Sequence, residues 1–154
     1  MFSPGEIVYG FVKHIGKSKY AICIYRDEDL NILLHFTTSQ ARAGVASDEV
    51  RHGAIYKEGE CLSYVFEAGH DIGENPSTGV SFHFPLRTTM AFDYGYLKAG
   101  TQQLFSLFED PKVVCKLDDK EYIDLIYAMY RSKRTPLEYK PYLDAILSDY
   151  YQNH

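Results

Sequence analysis

The fold of this chain is decided by three runs near its start: GEIVYGFV at residues 5–12, KYAICIY at residues 19–25 and NILLHFTTSQ at residues 31–40. Runs rich in β-branched and apolar residues, bounded by Gly, Lys and Asp clusters, are typical of strands. Their close spacing predicts a small, strongly curved sheet. The hydroxyl groups of the third run are then expected at a strand end, where polar side chains can meet a ligand.

The remaining sequence predicts two or three more strands and then helices. Strand patterns recur within residues 60–67, 80–84 and 88–94. A helical pattern begins near residue 101, and its apolar spacing is regular in two later segments. The sequence therefore predicts a mainly β, α+β protein, with a barrel of five to six strands over residues 1–100. A C-terminal pair of α-helices over residues 101–154 is expected to pack on the barrel, as one globular unit.

Within the helical part, Leu104, Phe105 and Phe108 predict a short helix that ends at Asp110-Pro111. The acidic residues of 118–121 then form a helix start signal before an amphipathic segment. The last helix is expected to begin near Pro141, because proline is favoured in the first helical turn.

Composition limits the classes of function. The formal charge of -5 argues against a protein that coats nucleic acid non-specifically, although a local basic groove remains compatible with it. The three cysteines are far apart and form no C-x-x-C pair, which favours a reduced cytoplasmic setting. No leader pattern or long apolar run predicts a membrane segment.

Short motifs in the first forty residues resemble the MazF/PemK-like toxin endoribonucleases. Glu6-Ile7-Val8 opens the first strand, a basic residue stands two positions before Ala21 in the second, and Phe36-Thr37-Thr38-Ser39 ends the third. The resemblance covers about two thirds of the chain and implies an SH3-like barrel. It also implies a bacterial, cytoplasmic toxin of a toxin–antitoxin system, a hydrolase that cleaves single-stranded RNA without a cofactor. An antitoxin protein and a second copy of the chain are the implied protein partners.

The resemblance also implies the site. In such a reaction a ribose 2′-oxygen attacks its own phosphodiester, which requires a proton acceptor and groups that stabilise the charged phosphorane. The resemblance assigns catalytic roles to Lys19 and Thr38, and His14, in the basic cluster beside the first connection, is the expected proton carrier. The residues expected to bind RNA are Lys13, Lys17, Ser39 and Arg42.

A non-catalytic interpretation stays open beside the nuclease. Lys19 stands where the family has Arg, and an ammonium lacks the planar two-pronged donor of a guanidinium. The basic cluster at residues 13–19 is also compatible with a solvated hairpin, and Thr38 with a strand end. The alternative is an SH3-like module whose tyrosine-rich surface and C-terminal helices hold a partner protein.

Histidine spacing predicts no metal site. His35 and His83 fall within predicted strands and His70 within a loop, without an i, i+4 helical pair or a neighbouring cysteine pair. The turn at Arg131-Ser132-Lys133-Arg134 is compatible with contact to RNA or to an acidic partner, and equally with a solvated loop.

Overall fold

The computed structural model describes residues 1–39 and 51–154, which form ten strands in two antiparallel sheets and three α-helices. The strands are β1 (Glu6–Val12), β2 (Lys17–Asp27), β3 (Asn31–Phe36), β4 (Gly53–Lys57), β5 (Glu60–Phe66), β6 (Gly73–Glu74), β7 (Ser81–Phe82), β8 (Thr88–Ala91), β9 (Tyr96–Ala99) and β10 (Phe108–Leu117). The helices are α1 (Thr101–Leu107), α2 (Asp119–Arg131) and α3 (Lys140–Gln152), with a 3-10 turn at Leu137–Tyr139. The predicted mainly β class is confirmed.

The first of two compact units is built on the larger sheet. It consists of Met1–Thr37, Asp71–His83 and Tyr96–Asp118. The described strands of this sheet lie in the order β7-β6-β10-β1-β2-β3-β9, so β1, β2 and β3 are neighbours in both sequence and space. Leu104 of α1 is buried in one apolar cluster with Val8, Ala21 and Leu34 of these three strands. The helix therefore covers one face of the sheet.

The second unit contains the smaller sheet and two helices. It consists of the described residues within Thr38–His70, Phe84–Gly95 and Asp119–His154. Its strands lie in the order β4-β5-β8, and α2 has an apolar face that includes Ile126 and Met129, both fully buried. The Ser132 hydroxyl donates a hydrogen bond to the Cys61 carbonyl at 2.7 Å, which fixes the end of α2 against β5.

Strand number and closure differ from the prediction. The sequence predicts five to six strands in a small barrel, whereas the described residues form ten strands and no closed barrel. Among these residues, β7 and β9 lie at the two ends of the larger sheet and do not pair with each other. The predicted C-terminal pair of helices is present as α2 and α3. No helix in the described part of the chain has both the length and the apolar content to cross a bilayer.

The strand β10 accounts for part of this difference. The sequence assigns Phe108 to a helix that ends at Asp110-Pro111, but the helix ends at Leu107 and a strand follows directly. β10 pairs with β1, with an irregularity in register opposite Gly10. A Cβ at Gly10 would lie 3.1 Å from the Cα of Pro111, so glycine allows this close approach. Proline is tolerated at such irregular positions of a sheet. Since β10 follows residue 100 and pairs with β1, the larger sheet extends across the predicted boundary at residue 100.

Candidate functional site

The basic residues singled out by the sequence lie on one hairpin of the first unit. Lys13 and His14 are in the turn between β1 and β2, and Lys17 and Lys19 are in the first residues of β2. The first three are exposed and Lys19 is half-buried. Since Lys17 and Lys19 are two residues apart on a strand, their side chains point to the same face. Residues 13–19 carry three lysines and no carboxylate, so the hairpin is locally cationic in an acidic protein.

Backbone hydrogen bonds hold this hairpin turn in place. The Gly16 N–H donates to the Val12 carbonyl at 2.8 Å, and Gly16 has a φ of 77°, a conformation that favours glycine. The Lys13 N–H donates to the carbonyl of Leu107, at the end of α1, at 3.1 Å. The basic side chains therefore project from a fixed support.

The end of β3 lies beside the start of β2. The Thr37 N–H and the Thr37 hydroxyl both donate to the Tyr20 carbonyl, at 3.2 and 3.4 Å. Tyr20 directly follows Lys19. The first hydroxyl of the predicted cluster is therefore next to the strand segment that carries the predicted catalytic lysine, but Thr37 itself is buried.

The remaining predicted residues lie outside that hairpin. Thr38 belongs to the second unit, where its backbone exchanges hydrogen bonds with Thr89 at 3.0 and 2.7 Å. Ser39 is exposed. Arg42 lies outside the described residues. The structure thus groups Lys13, His14, Lys17 and Lys19 in the first unit.

The second unit contains a polar cluster that sequence reasoning missed. His52, just before β4, lies with its Nε2 2.7 Å from Oε1 of Glu121 in the first turn of α2. The hydroxyl of Tyr64 on β5 donates to Oε2 of the same carboxylate. The ring of His70, which follows β5, stacks on that of His52 with 3.8 Å between centroids.

Hydrogen bonds indicate the tautomer of His52 in this arrangement. The Glu67 N–H donates to Nδ1 of His52 at 3.2 Å, so Nδ1 bears the lone pair and the proton is on Nε2. The Nε2–H group then donates to Glu121. The carboxylate of Glu121 accepts from both His52 and Tyr64.

The same contacts shift two ionisation equilibria. Burial raises the pKa of Tyr64, and the hydrogen bond to Glu121 raises it further. Burial alone would raise the pKa of Glu121, but the hydrogen bonds from His52 and Tyr64 outweigh it and hold this pKa below its usual value. The cluster therefore favours a carboxylate that accepts two hydrogen bonds, with the Tyr64 phenol kept neutral.

No pattern in the sequence marks this cluster. His52, His70 and Glu121 are far apart along the chain, so only tertiary packing brings them together. Elsewhere, His35 is buried in β3, and the exposed His83 lies 3.3 Å from an Asp71 carboxylate oxygen. The acidic residues at the start of α2 are visible in the sequence. Such residues are as typical of a helix N-terminus as of a metal site.

A polar groove of about 260 Å³ lies between the β4–β5 hairpin and the end of α2. Its lining includes Tyr56, Glu58, Arg131 and Lys133. The Arg131 guanidinium also lies 5.5 Å from the centroid of the Tyr127 ring, a cation–π contact. Carboxylates share the lining with the cations, so the groove has no single sign of charge.

Known proteins give no guide to these two sites. Comparison with protein-family models, with curated proteins and with solved structures finds no match to this chain. A functional assignment therefore depends on the residues and their geometry.

Proposed function

We propose that the protein is a MazF/PemK-like toxin endoribonuclease, which cleaves single-stranded RNA without a metal ion in the bacterial cytoplasm. The observation that carries the proposal is the hydrogen bonding of Thr37 to the Tyr20 carbonyl. It sets the hydroxyl end of β3 beside the start of β2, where Lys19 stands. A basic residue and a hydroxyl at these two strand positions are the features on which the resemblance to this family rests.

The exposed hairpin supports RNA as the substrate. Lys13 and Lys17 are exposed cations on a fixed turn, and cations of this kind bind a phosphate backbone by releasing its counterions. Because the overall charge is -5, the proposed binding depends on a local basic surface of this kind. Ser39 and Arg42 complete the proposed RNA-binding residues.

The proposed reaction is an in-line transfer within the RNA strand. His14 accepts the proton of a ribose 2′-hydroxyl, whose oxygen forms a bond to the adjacent phosphorus. The bond from phosphorus to the 5′-oxygen then breaks, which leaves a 2′,3′-cyclic phosphate, and the 5′-oxygen takes up a proton from water. Lys19 and the Thr38 hydroxyl stabilise the negative charge of the phosphorane. Lys19 acts as a point charge, since an ammonium has no planar fork of donors.

The SH3-like character of the strands is part of the same proposal. It rests on β1, β2 and β3, which form an antiparallel meander joined by short turns.

The proposed antitoxin is a partner that covers the basic hairpin and so blocks access of RNA. The proposed homodimer is tested by the mass of the protein in solution.

The test is cleavage of a long single-stranded RNA in EDTA by the purified protein. We expect Lys19→Ala and Thr38→Ala each to lower the cleavage rate by about 100-fold or more, which is typical for loss of one group that stabilises transition-state charge. Lys98→Ala and Thr78→Ala serve as matched controls, because they remove an exposed lysine from β9 and an exposed hydroxyl from a turn. Thermal unfolding of each variant separates lost activity from lost folding.

Intact RNA with the folded wild-type protein would contradict the nuclease. It would favour the second candidate, a module that binds a partner protein. A specific observation supports that candidate: α2 and α3 expose large side chains, with Tyr127 42% and Tyr151 61% exposed. Tyrosine is enriched in protein interfaces because its ring is apolar and its hydroxyl is polar.

Arrest of bacterial growth on expression tests the toxin assignment separately. We expect growth arrest with the wild-type protein and normal growth with Lys19→Ala at equal expression. Growth arrest that persists in Lys19→Ala would show that the toxic site lies elsewhere.

A further inference from the structure

Three potential metal ligands converge in the second unit. One ligand atom each from His52, His70 and Glu121 lies within 4.8 Å of the other two. They come from different segments, since His52 precedes β4, His70 follows β5 and Glu121 lies in α2. We propose that these three side chains hold a divalent transition-metal ion of the zinc class. This site shares no residue with the hairpin and does not depend on the proposed nuclease function.

The donor set decides the class of ion. Two imidazole nitrogens and one carboxylate oxygen suit zinc and neighbouring first-row metals, whereas magnesium and calcium prefer sites built from oxygen alone. Three protein ligands leave a fourth position of a tetrahedron for water or a further ligand. A zinc-class ion therefore fits the cluster better than a hard cation does.

Burial gives the site a closed side and an open side. The side chains of His52 and Glu121 are 19% and 12% exposed, whereas His70 is exposed. An ion can approach past His70 and meet two ligands that packing already holds close together. The contacts of β5 and β4 with α2 supply this support.

The Tyr64 hydroxyl orients the carboxylate. It donates to Oε2 of Glu121, so Oε1 is the oxygen that faces His52. Outer hydrogen bonds of this kind fix ligand orientation in metal sites. Tyr64 is therefore a positioning residue of the proposed site, although it does not itself contact the ion.

Binding requires three local adjustments. Nε2 of His52 and Oε1 of Glu121, which are 2.7 Å apart, give up their hydrogen bond and separate, because two ligands about 2.0–2.1 Å from a tetrahedral zinc ion lie about 3.3 Å from each other. The proton on Nε2 of His52 moves to Nδ1, so the ring stays neutral, Nε2 becomes free to ligate and the hydrogen bond from Glu67 is given up. The His70 ring turns out of its stacked position, because ligating lone pairs lie in the plane of each ring and the two planes differ by only 16°. Since His70 is exposed, its ring can turn without disturbing the core.

The test is metal titration of the full, tag-free chain after dialysis against EDTA and removal of the chelator. We expect one equivalent of Zn²⁺ by calorimetry, a visible spectrum of tetrahedral type with Co²⁺, and no comparable binding of Mg²⁺. A rise in melting temperature with Zn²⁺ is expected, because the ion binds the folded protein.

Matched variants locate the site. His70→Ala removes an exposed ligand and is expected to lower Zn²⁺ affinity at least about tenfold and to abolish the Co²⁺ spectrum, while Tyr64→Phe lowers affinity about 10- to 100-fold. The control is His83→Ala, which removes another exposed histidine that also lies beside a carboxylate. Absence of Zn²⁺ binding, or equal affinity in wild type and His70→Ala, would overturn the proposal. So would preferential binding of Mg²⁺. RNA cleavage plays no part in these measurements, so the two proposals fail independently.

Discussion

The basic hairpin of the first unit and the histidine cluster of the second unit satisfy their polar groups in opposite ways. Lys13, His14 and Lys17 are exposed, and the two lysines carry their charge into solvent. In the cluster, both nitrogens of His52 and both oxygens of Glu121 have hydrogen-bond partners. Exposed charge on a fixed turn suits a polyanion that arrives from solution, whereas a partly buried and internally bonded cluster contributes to the fold itself.

This difference predicts where mutations change stability and where they change binding. Removing an exposed lysine leaves no buried group without a partner, so the fold is little affected. Removing an acceptor from the cluster leaves buried donors unsatisfied. The two regions therefore respond differently in unfolding and in RNA-binding measurements.

The largest expected effect tests the rigidity of the sheet that carries the hairpin. Cys23 of β2 is fully buried, and burial raises its pKa to about 12. Because the thiolate is the reactive form, native Cys23 at pH 8 should react with iodoacetamide about 1,000-fold more slowly than the same thiol in urea. The rate is measured by mass spectrometry of quenched samples. Equal rates in buffer and urea would show that the sheet opens readily. This result would contradict the claim that the hairpin projects from a rigid sheet.

The next effect tests the cluster. Glu121→Ala removes the acceptor of both His52 and Tyr64, so we expect the free energy of unfolding to fall by about 2–4 kcal/mol. Urea unfolding in EDTA measures this without any contribution from metal. Asp124→Ala is the matched control: it removes a more exposed carboxylate from the same helix, whose ion pair with Lys120 spans 2.6 Å. Its expected effect is within about 0.5 kcal/mol. Similar losses in both variants would contradict a structural role for the cluster.

The smallest effect concerns the hairpin. Lys13→Ala combined with Lys17→Ala should leave the free energy of unfolding within about 0.5 kcal/mol of wild type. If both lysines contact phosphates of single-stranded RNA, the slope of log K against log salt concentration falls in magnitude by about 1.4. Fluorescence titration with a labelled RNA at several salt concentrations measures the slope. Lys98→Ala is the control and should keep the wild-type slope. If the double variant also keeps the wild-type slope, RNA binds to another surface.

The sequence predicts the local parts of the fold well and the long-range parts poorly. The runs at residues 5–12, 19–25 and 31–40 predict strands, and these strands form a meander because short turns join them. β10 is missed because Asp110-Pro111 resembles a helix end, and because its partner β1 lies about two thirds of the chain away in sequence. The irregularity opposite Gly10, which admits the proline, is a property of the pair of strands.

The sequence also predicts the local parts of the candidate sites better than the parts that depend on long-range contacts. Lys13, His14, Lys17 and Lys19 are neighbours in sequence, so the sequence alone predicts that they share one hairpin. Whether Lys19 and Thr38 act together is decided by the RNA-cleavage test above.

By itself, the sequence determined the mainly β class, the β1–β2–β3 meander, the amphipathic helices α2 and α3 and the basic hairpin. Each follows from residues close together in the chain, where periodicity, turn chemistry and charge spacing act. Only the tertiary structure decided the place of β10, the two sheets and the meeting of His52, His70 and Glu121. The physical reason is that strand pairing and packing against α2 join segments far apart in sequence, and these contacts leave no periodic pattern in the chain.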